Sequence, residues 1–202
     1  MLTKDKTALL VIDLQNDNMS IGGKSEKSGA VEHAKKQNIV PNIASLINKA
    51  HDLDIPVFHN QFVVKKGAPG IGQNAPIFQS IREIDSVVED TWGAETVAGI
   101  TIAPEDFVLK RTRMSAFNGT QLDTLLRGLG IENLIVTGIW TNMAVEHTCR
   151  DAADHGYNVT IVTDGTATIN DEWQNAALNY ALNNIATKLS TKEVLADLSE
   201  AN

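Results

Sequence analysis

The chain has a single cysteine, Cys149, in 202 residues, so no disulfide framework is open to it, and no Cys/His cluster has the spacing of a zinc site. That thiol usage fits a reducing compartment, and the expected location is cytoplasmic. Basic residues are the minority: 17 Lys plus Arg against 25 Asp plus Glu leave a formal net charge of −8. With no broad basic field to collect phosphates, nucleic acid and anionic membranes are not expected partners. The same balance mildly disfavours a highly anionic small ligand unless a local cation offsets it. Long apolar runs are missing as well. The one inside MLTKDKTALLVIDLQND is far too short to span a bilayer, no small-residue cleavage site follows it, and it reads as a core strand. Nor is there an internal repeat or a compositional break. At 43% hydrophobic and 21% charged residues, the expectation is one domain over residues 1–202.

What is present is an alternation. ALLVID at 8–13 is a continuous apolar run ending in a carboxylate, the pattern of a strand buried on both faces of a parallel sheet. Similar short runs recur at 55–58, 107–109, 134–136 and 159–162, and 185–189 offers a last strand. Helical periodicity fills 39–51, 122–129, 143–155 and 170–184. This predicts an α/β fold, a doubly wound and mainly parallel sheet with helices on both faces. Residues 20–36, rich in Gly, Ser and Lys, read as a loop or lid leading into a helix, and 65–76 as a second, glycine- and proline-broken loop.

Open parallel sheets bind ligands beyond the carboxyl ends of their strands, where strand order reverses. Asp13 ends the first strand, and the turn TGIWT at 137–141 leads into a helix whose free amides could hold an anion. Taken alone, Asp13 is as well explained by a cap or a structural hydrogen bond, and Gly138 by a tight turn.

Five segments carry more weight together: VIDLQND (11–17), TWGAE (91–95), RMSAFNGTQLD (113–123), TGIWTNMAVEHT (137–148) and GYNVTIVTDG (156–165). In this order, along nearly the whole chain, they resemble the isochorismatase-like hydrolase superfamily, which includes nicotinamidases, N-carbamoylsarcosine amidohydrolases and ureidoacrylate hydrolases. The resemblance implies an Asp, Lys, Cys triad acting on a small amide, ureide, imide or related carbonyl compound, without a cofactor. In that scheme Asp13 takes the thiol proton, the thiolate attacks the carbonyl, and a cation steadies the carboxylate or the developing charge. Backbone amides at Trp140 and at position 144 would form the oxyanion hole, aimed by a cis bond between Ile139 and Trp140. The resemblance further implies a homo-oligomer.

Two positions depart from the family pattern. The nucleophile stands fourth in TNxC, and here Thr141, Asn142 and Met143 lead to Ala144, whose methyl group cannot attack a carbonyl. Cys149 is no obvious substitute, since five helical residues rotate it by roughly 140° from Ala144. The lysine is displaced too: an ungapped count back from Ser115 falls on Arg111, and a one-residue shift restores Lys110. Arg keeps the charge with a planar head that does not donate a proton near neutrality. Three explanations of Ala144 stand: an introduced substitution that preserves binding, a natural branch using water and Asp13, as isochorismatases hydrolyse a vinyl ether without cysteine, or a binding protein without catalysis.

Phe62, Trp92, Phe117 and Trp140 are candidates for an apolar pocket around a planar ligand, with core packing as the alternative for each. Asn16 and Gln15 either orient the ligand or bond to loop backbone. His59 lacks the neighbours of the metal-binding pattern found in some nicotinamidases, and no metal is expected. His147 and His155 are expected in structural or exposed roles, and His33 and His51 form no stronger constellation.

Overall fold

Thr7–Ile12 (β1), TALLVI, is buried at every position, as a central strand covered by helices on both faces must be. The computed structural model describes residues 2–200. In it β1 pairs with Val57–Phe62 (β2) and Asn133–Ile139 (β4), and the sheet is completed by Phe107–Arg111 (β3), Asn158–Ala167 (β5) and Thr187–Leu189 (β6). The strand order is β3-β2-β1-β4-β5-β6 and every pairing is parallel. This is the doubly wound arrangement expected from the alternating runs. Its order reverses between β1 and β4, which places a crevice beyond their carboxyl ends.

Alternation along β1 sends Leu9 and Val11 into one core and Ala8, Leu10 and Ile12 into the other. The first core is closed by Ala30–Lys36 (α2), Ile39–Asp52 (α3) and Thr191–Glu200 (α8). In α3, Ile39, Ile43, Leu46, Ile47 and Ala50 form the buried stripe that the helical period predicts. Leu122–Gly128 (α5) and Glu146–Asp154 (α6) close the second core through Leu122, Leu126, Cys149 and Ala152. Asn16–Met19 (α1) follows β1, and Asp171–Ala176 (α7) precedes β6.

Three expectations need correcting. Residues 20–36 are not all loop, since α2 occupies their last seven. The 65–76 loop ends on a helix that the periodic reading passed over, Pro76–Glu83 (α4), with Pro76 in its first turn. A missing N–H there costs nothing and the fixed φ suits helix entry. Gly138 is not a turn residue: it lies inside β4 at φ 120°, where an added Cβ would sit 2.1 Å from the carbonyl oxygen of Ile12. Glycine is required there by the approach of two strands. Consequently β4 runs on to Ile139, and the following helix starts as a π turn over Thr141–Val145 before α6.

None of the helices among the described residues is long and apolar enough to cross a membrane.

Candidate active site

Asp13 is the first residue beyond β1 and has φ 55°, a left-handed conformation that Asp tolerates better than most side chains. Its backbone is pinned on both sides: its N–H donates to the carbonyl of Asn60 at 2.9 Å, and its carbonyl accepts from Asn18 Nδ2 at 3.0 Å. The carboxylate is 4% exposed and is met by Arg111 from the end of β3, Nη1 donating to Oδ1 at 2.7 Å and Nη2 to Oδ2 at 2.8 Å. Oδ1 also accepts the N–H of Phe62 at 2.9 Å. Four of the five N–H donors of Arg111 are used, since Nε and Nη2 also donate to the carbonyl of Met114, and the guanidinium lies 5.8 Å from the centre of the Phe62 ring. Such a planar, bidentate pair is geometry that Arg supports and Lys does not.

Parallel pairing of β2 with β3 sets Phe62 opposite Arg111 and so turns Arg111 inward. Lys110, its neighbour, therefore faces the other way, as successive strand residues must. Its ammonium is exposed and donates to Glu89 Oε1 at 2.9 Å. Lys110 is not the partner of Asp13 here.

A cavity of 750 Å³ opens above this pair, bordered by Asp13, Phe62, Trp140 and Ala144 from the predicted set. The Ile139–Trp140 bond is cis, as the resemblance implies. The structure adds wall residues that the sequence reading did not single out: Ile77, Phe78 and Ile81 from α4, Met114, and Trp173 from α7. A helix starting at Pro76 with Ile77 and Ile81 four apart was the available signal. Asn18, which braces the Asp13 carbonyl, also reaches the wall. A larger cleft of 860 Å³ lies at the amino-terminal ends of β4, β5 and β6, around Asn133, Asn158 and Thr187, away from where parallel sheets place ligands.

Three residues expected to contact a ligand do not border this cavity. Asn16 donates to the carbonyl of Trp92 at 2.9 Å and accepts from Ser20, so it ties α1 to the 91–95 segment. Trp92 is 49% exposed on the outer side of that segment. Phe117 is buried in the core under α5 and α6, stacked on His155 with ring centres 5.0 Å apart and tilted against Tyr157. None of the three borders the cavity. Gln15 likewise serves backbone, donating to the carbonyls of Phe62 and Ala94.

Cys149 is fully buried on α6, and burial pushes its thiol up to about 12, with nearby Glu146 adding to the effect. His59 and His51 both bond to the buried carboxylate of Asp106, at 3.1 and 2.7 Å, which ties β2 and α3 to the start of β3. No group of three or more His, Cys, Asp or Glu side chains suited to a metal occurs among the described residues.

The strand order, the carboxylate beyond β1 and the cavity at the switch point define a doubly wound α/β protein with a ligand crevice. Residues 7–193 match the Isochorismatase domain family, and the chain belongs to that family. It is 33% identical over 191 residues to a probable inactive nicotinamidase of Arabidopsis thaliana, covering 92% of each chain. It is 31% identical over 211 residues to a ureidoacrylate amidohydrolase of an Enterobacter species, covering 96% of this chain and 88% of that one. Among solved structures, an isochorismatase family protein of Desulfovibrio vulgaris superposes with a TM-score of 0.83 at 29% identity, over 96% of this chain and 98% of that one.

Proposed function

We propose that this chain binds a small amide, ureide or imide through its carbonyl group and forms no covalent acyl intermediate with it. The observation that carries this reading is the methyl group of Ala144 on the cavity wall beside Asp13, at the place where the family resemblance puts a thiol. Asp13 would receive the ligand N–H. Its Oδ1 already accepts from Phe62 and Arg111, whereas among the described residues Oδ2 accepts from Arg111 Nη2 alone and keeps lone-pair capacity, on a residue that borders the cavity. The amides of Trp140 and Ala144 would meet the carbonyl oxygen. Arg111 acts as a fixed counter-charge and not as a proton donor. The single buried thiol supports a cytoplasmic setting, and the family resemblance a homo-oligomer.

The same lone pair on Asp13 favours a second reading, hydrolysis by water. Water oxygen adds to the carbonyl carbon while Asp13 takes its proton, and that proton passes to the leaving nitrogen as the C–N bond breaks. A mass-spectrometric turnover screen of small amides and ureides, run on this chain and on Ala144→Cys, separates the two. Binding without product in the native chain, with product in the variant, supports the first reading. Product from the native chain supports the second, and neither binding nor product in either protein refutes both.

A further inference from the structure

Most of the cavity's exposed lining is apolar, its polar members being Asp13, Asn18, Ser80, Asn142 and His147, and among the described residues no Lys or Arg borders it. The two arginines nearby are committed elsewhere. Arg111 is fully enclosed and directs four of its five N–H donors to Asp13 and Met114. Arg113 does not border the cavity; its guanidinium lies over the Phe78 ring at 5.3 Å and donates to the carbonyls of Ile71 and Thr112. Asp13 and Arg111 cancel, so a negative ligand would meet a carboxylate oxygen with no positive charge to answer it. Transfer of a carboxylate from water into such a lining is opposed by lost hydration as well as by repulsion. One titratable group remains at the rim, His147, whose Nδ1 is hydrogen bonded to the carbonyl of Met143 at 2.8 Å.

From this lining we infer that the ligand of the site is an uncharged carbonyl compound with an apolar body, and that the cavity discriminates against carboxylates. The inference rests on the proposed reading that the cavity receives a carbonyl ligand and adds the chemical class. A volume of 750 Å³ is in the range that encloses a drug-sized molecule. A short ureido acid or a compact dicarboxylate has little apolar surface to set against that wall, whereas a phenyl or branched alkyl group covers part of it with hydrocarbon. The amide end then lies against Asp13 and the turn at Trp140–Ala144, and the body against α4 and Trp173.

The test is titration calorimetry of the full chain with 4-phenylbutanamide and 4-phenylbutanoate, which differ only in the charged end. Both titrations are run in one buffer at a single pH, so that the two probes meet the same protein charge. The amide is expected to bind about 30-fold more tightly or better, the size of a like-charge penalty in a partly desolvated site. Equal or tighter binding of the carboxylate would overturn the inference and leave the carbonyl-binding site standing. No measurable binding of either probe at millimolar concentration would overturn both. A second arm uses Ile77→Lys, which places an ammonium on the wall from a half-buried position of α4. The ratio of the two dissociation constants is expected to narrow by about tenfold or more, and an unchanged ratio in the folded variant counts against the charge argument.

Discussion

The guanidinium of Arg111 and the carboxylate of Asp13 face one another through two parallel hydrogen bonds, 98 residues apart in sequence and both shut off from solvent. The pair closes the sheet at the ends of β1 and β3 across β2, with Phe62 of the intervening strand donating its N–H to the same carboxylate. Structure and the proposed ligand recognition therefore rest on one element, and they are expected to respond differently to substitution.

Arg111→Met removes the charge and leaves Asp13 buried without a partner, which costs about 3–5 kcal/mol of stability. Arg111→Lys keeps a cation but gives up the fork and the contacts with Met114, and is expected to cost about 1–3 kcal/mol. Urea unfolding followed by circular dichroism measures both. A smaller loss for Met than for Lys would mean that the unpartnered Asp13 carboxylate does not set the cost, and would refute this account of the pair.

Cys149 is expected to be inert in the folded chain. It is fully buried and its thiol is pushed up to about 12, so at pH 8 almost no thiolate is present and no reagent reaches it. Iodoacetamide should leave the native mass unchanged over hours and add one carbamidomethyl group to Ala144→Cys, whose new thiol faces the cavity. Labelling of the native chain at the same rate as the variant would show that α6 opens readily, and would undermine the assignment of Cys149 to the core.

Local pattern carried β1, α3 and Asp13 into view, because a strand covered on both faces has to be an unbroken apolar run and a packed helix has to show its stripe. The choice between Lys110 and Arg111 lay beyond local pattern. Both are cations on one strand, and what separates them is the pairing of Phe62 with Arg111, a contact between distant segments. Aromatic residues were ambiguous for a similar reason. Phe117 sits within a family motif and faces a core, while Phe78 and Trp173, in no quoted motif, border the cavity. A ring is equally suited to either task until the neighbouring elements are placed. The helix α4 was legible in principle from Pro76 followed by Ile77 and Ile81, yet the glycines and prolines of the preceding loop masked its start.

Stability should fall as the solution is acidified from pH 7.5 to 5. Burial holds His33 and His59 below the ordinary imidazole value of 6.5, against the opposing pull of Asp171 on the first and Asp106 on the second. Lys36 beside His33 and His51 beside His59 add to the lowering. His33 Nδ1 also accepts the N–H of Thr168, a bond that protonation of that nitrogen destroys. Because each folded value lies below its unfolded one, the unfolded chain binds more protons in this window. Stability is then complete above about pH 6.5 and drains away as pH drops through the folded values, by at most about 1.4 kcal/mol per pH unit for each group. The carboxylates whose values are lowered, Glu89, Asp123, Asp171 and Glu193, act at lower pH and leave the window to the imidazoles. His59→Gln should flatten the profile measured by urea unfolding at several pH values, and an unaltered slope would remove His59 from the account.

The segment that carries Val87 onto the cavity wall is held by Asp17. Its Oδ2 accepts the N–H of Val87 at 2.7 Å and Oδ1 that of Lys24 at 3.2 Å, and the carboxylate is buried with no ion pair among the described residues. Gly93 makes room for it, since a Cβ there would lie 2.2 Å from Oδ2. Gly93→Ala must therefore push the carboxylate off its two amides, an overpacking change expected to cost about 1–3 kcal/mol, with the lost hydrogen bonds adding to it. Val87 has φ 51°, unfavourable for a β-branched residue, so once released the segment should relax instead of holding its place. Hydrogen exchange of the folded variant should show the Val87 amide exchanging much faster than in the native chain while the amides of β1 keep their protection. If Val87 and β1 lose protection together, the effect is global destabilisation and Asp17 is not a local clasp on the cavity wall.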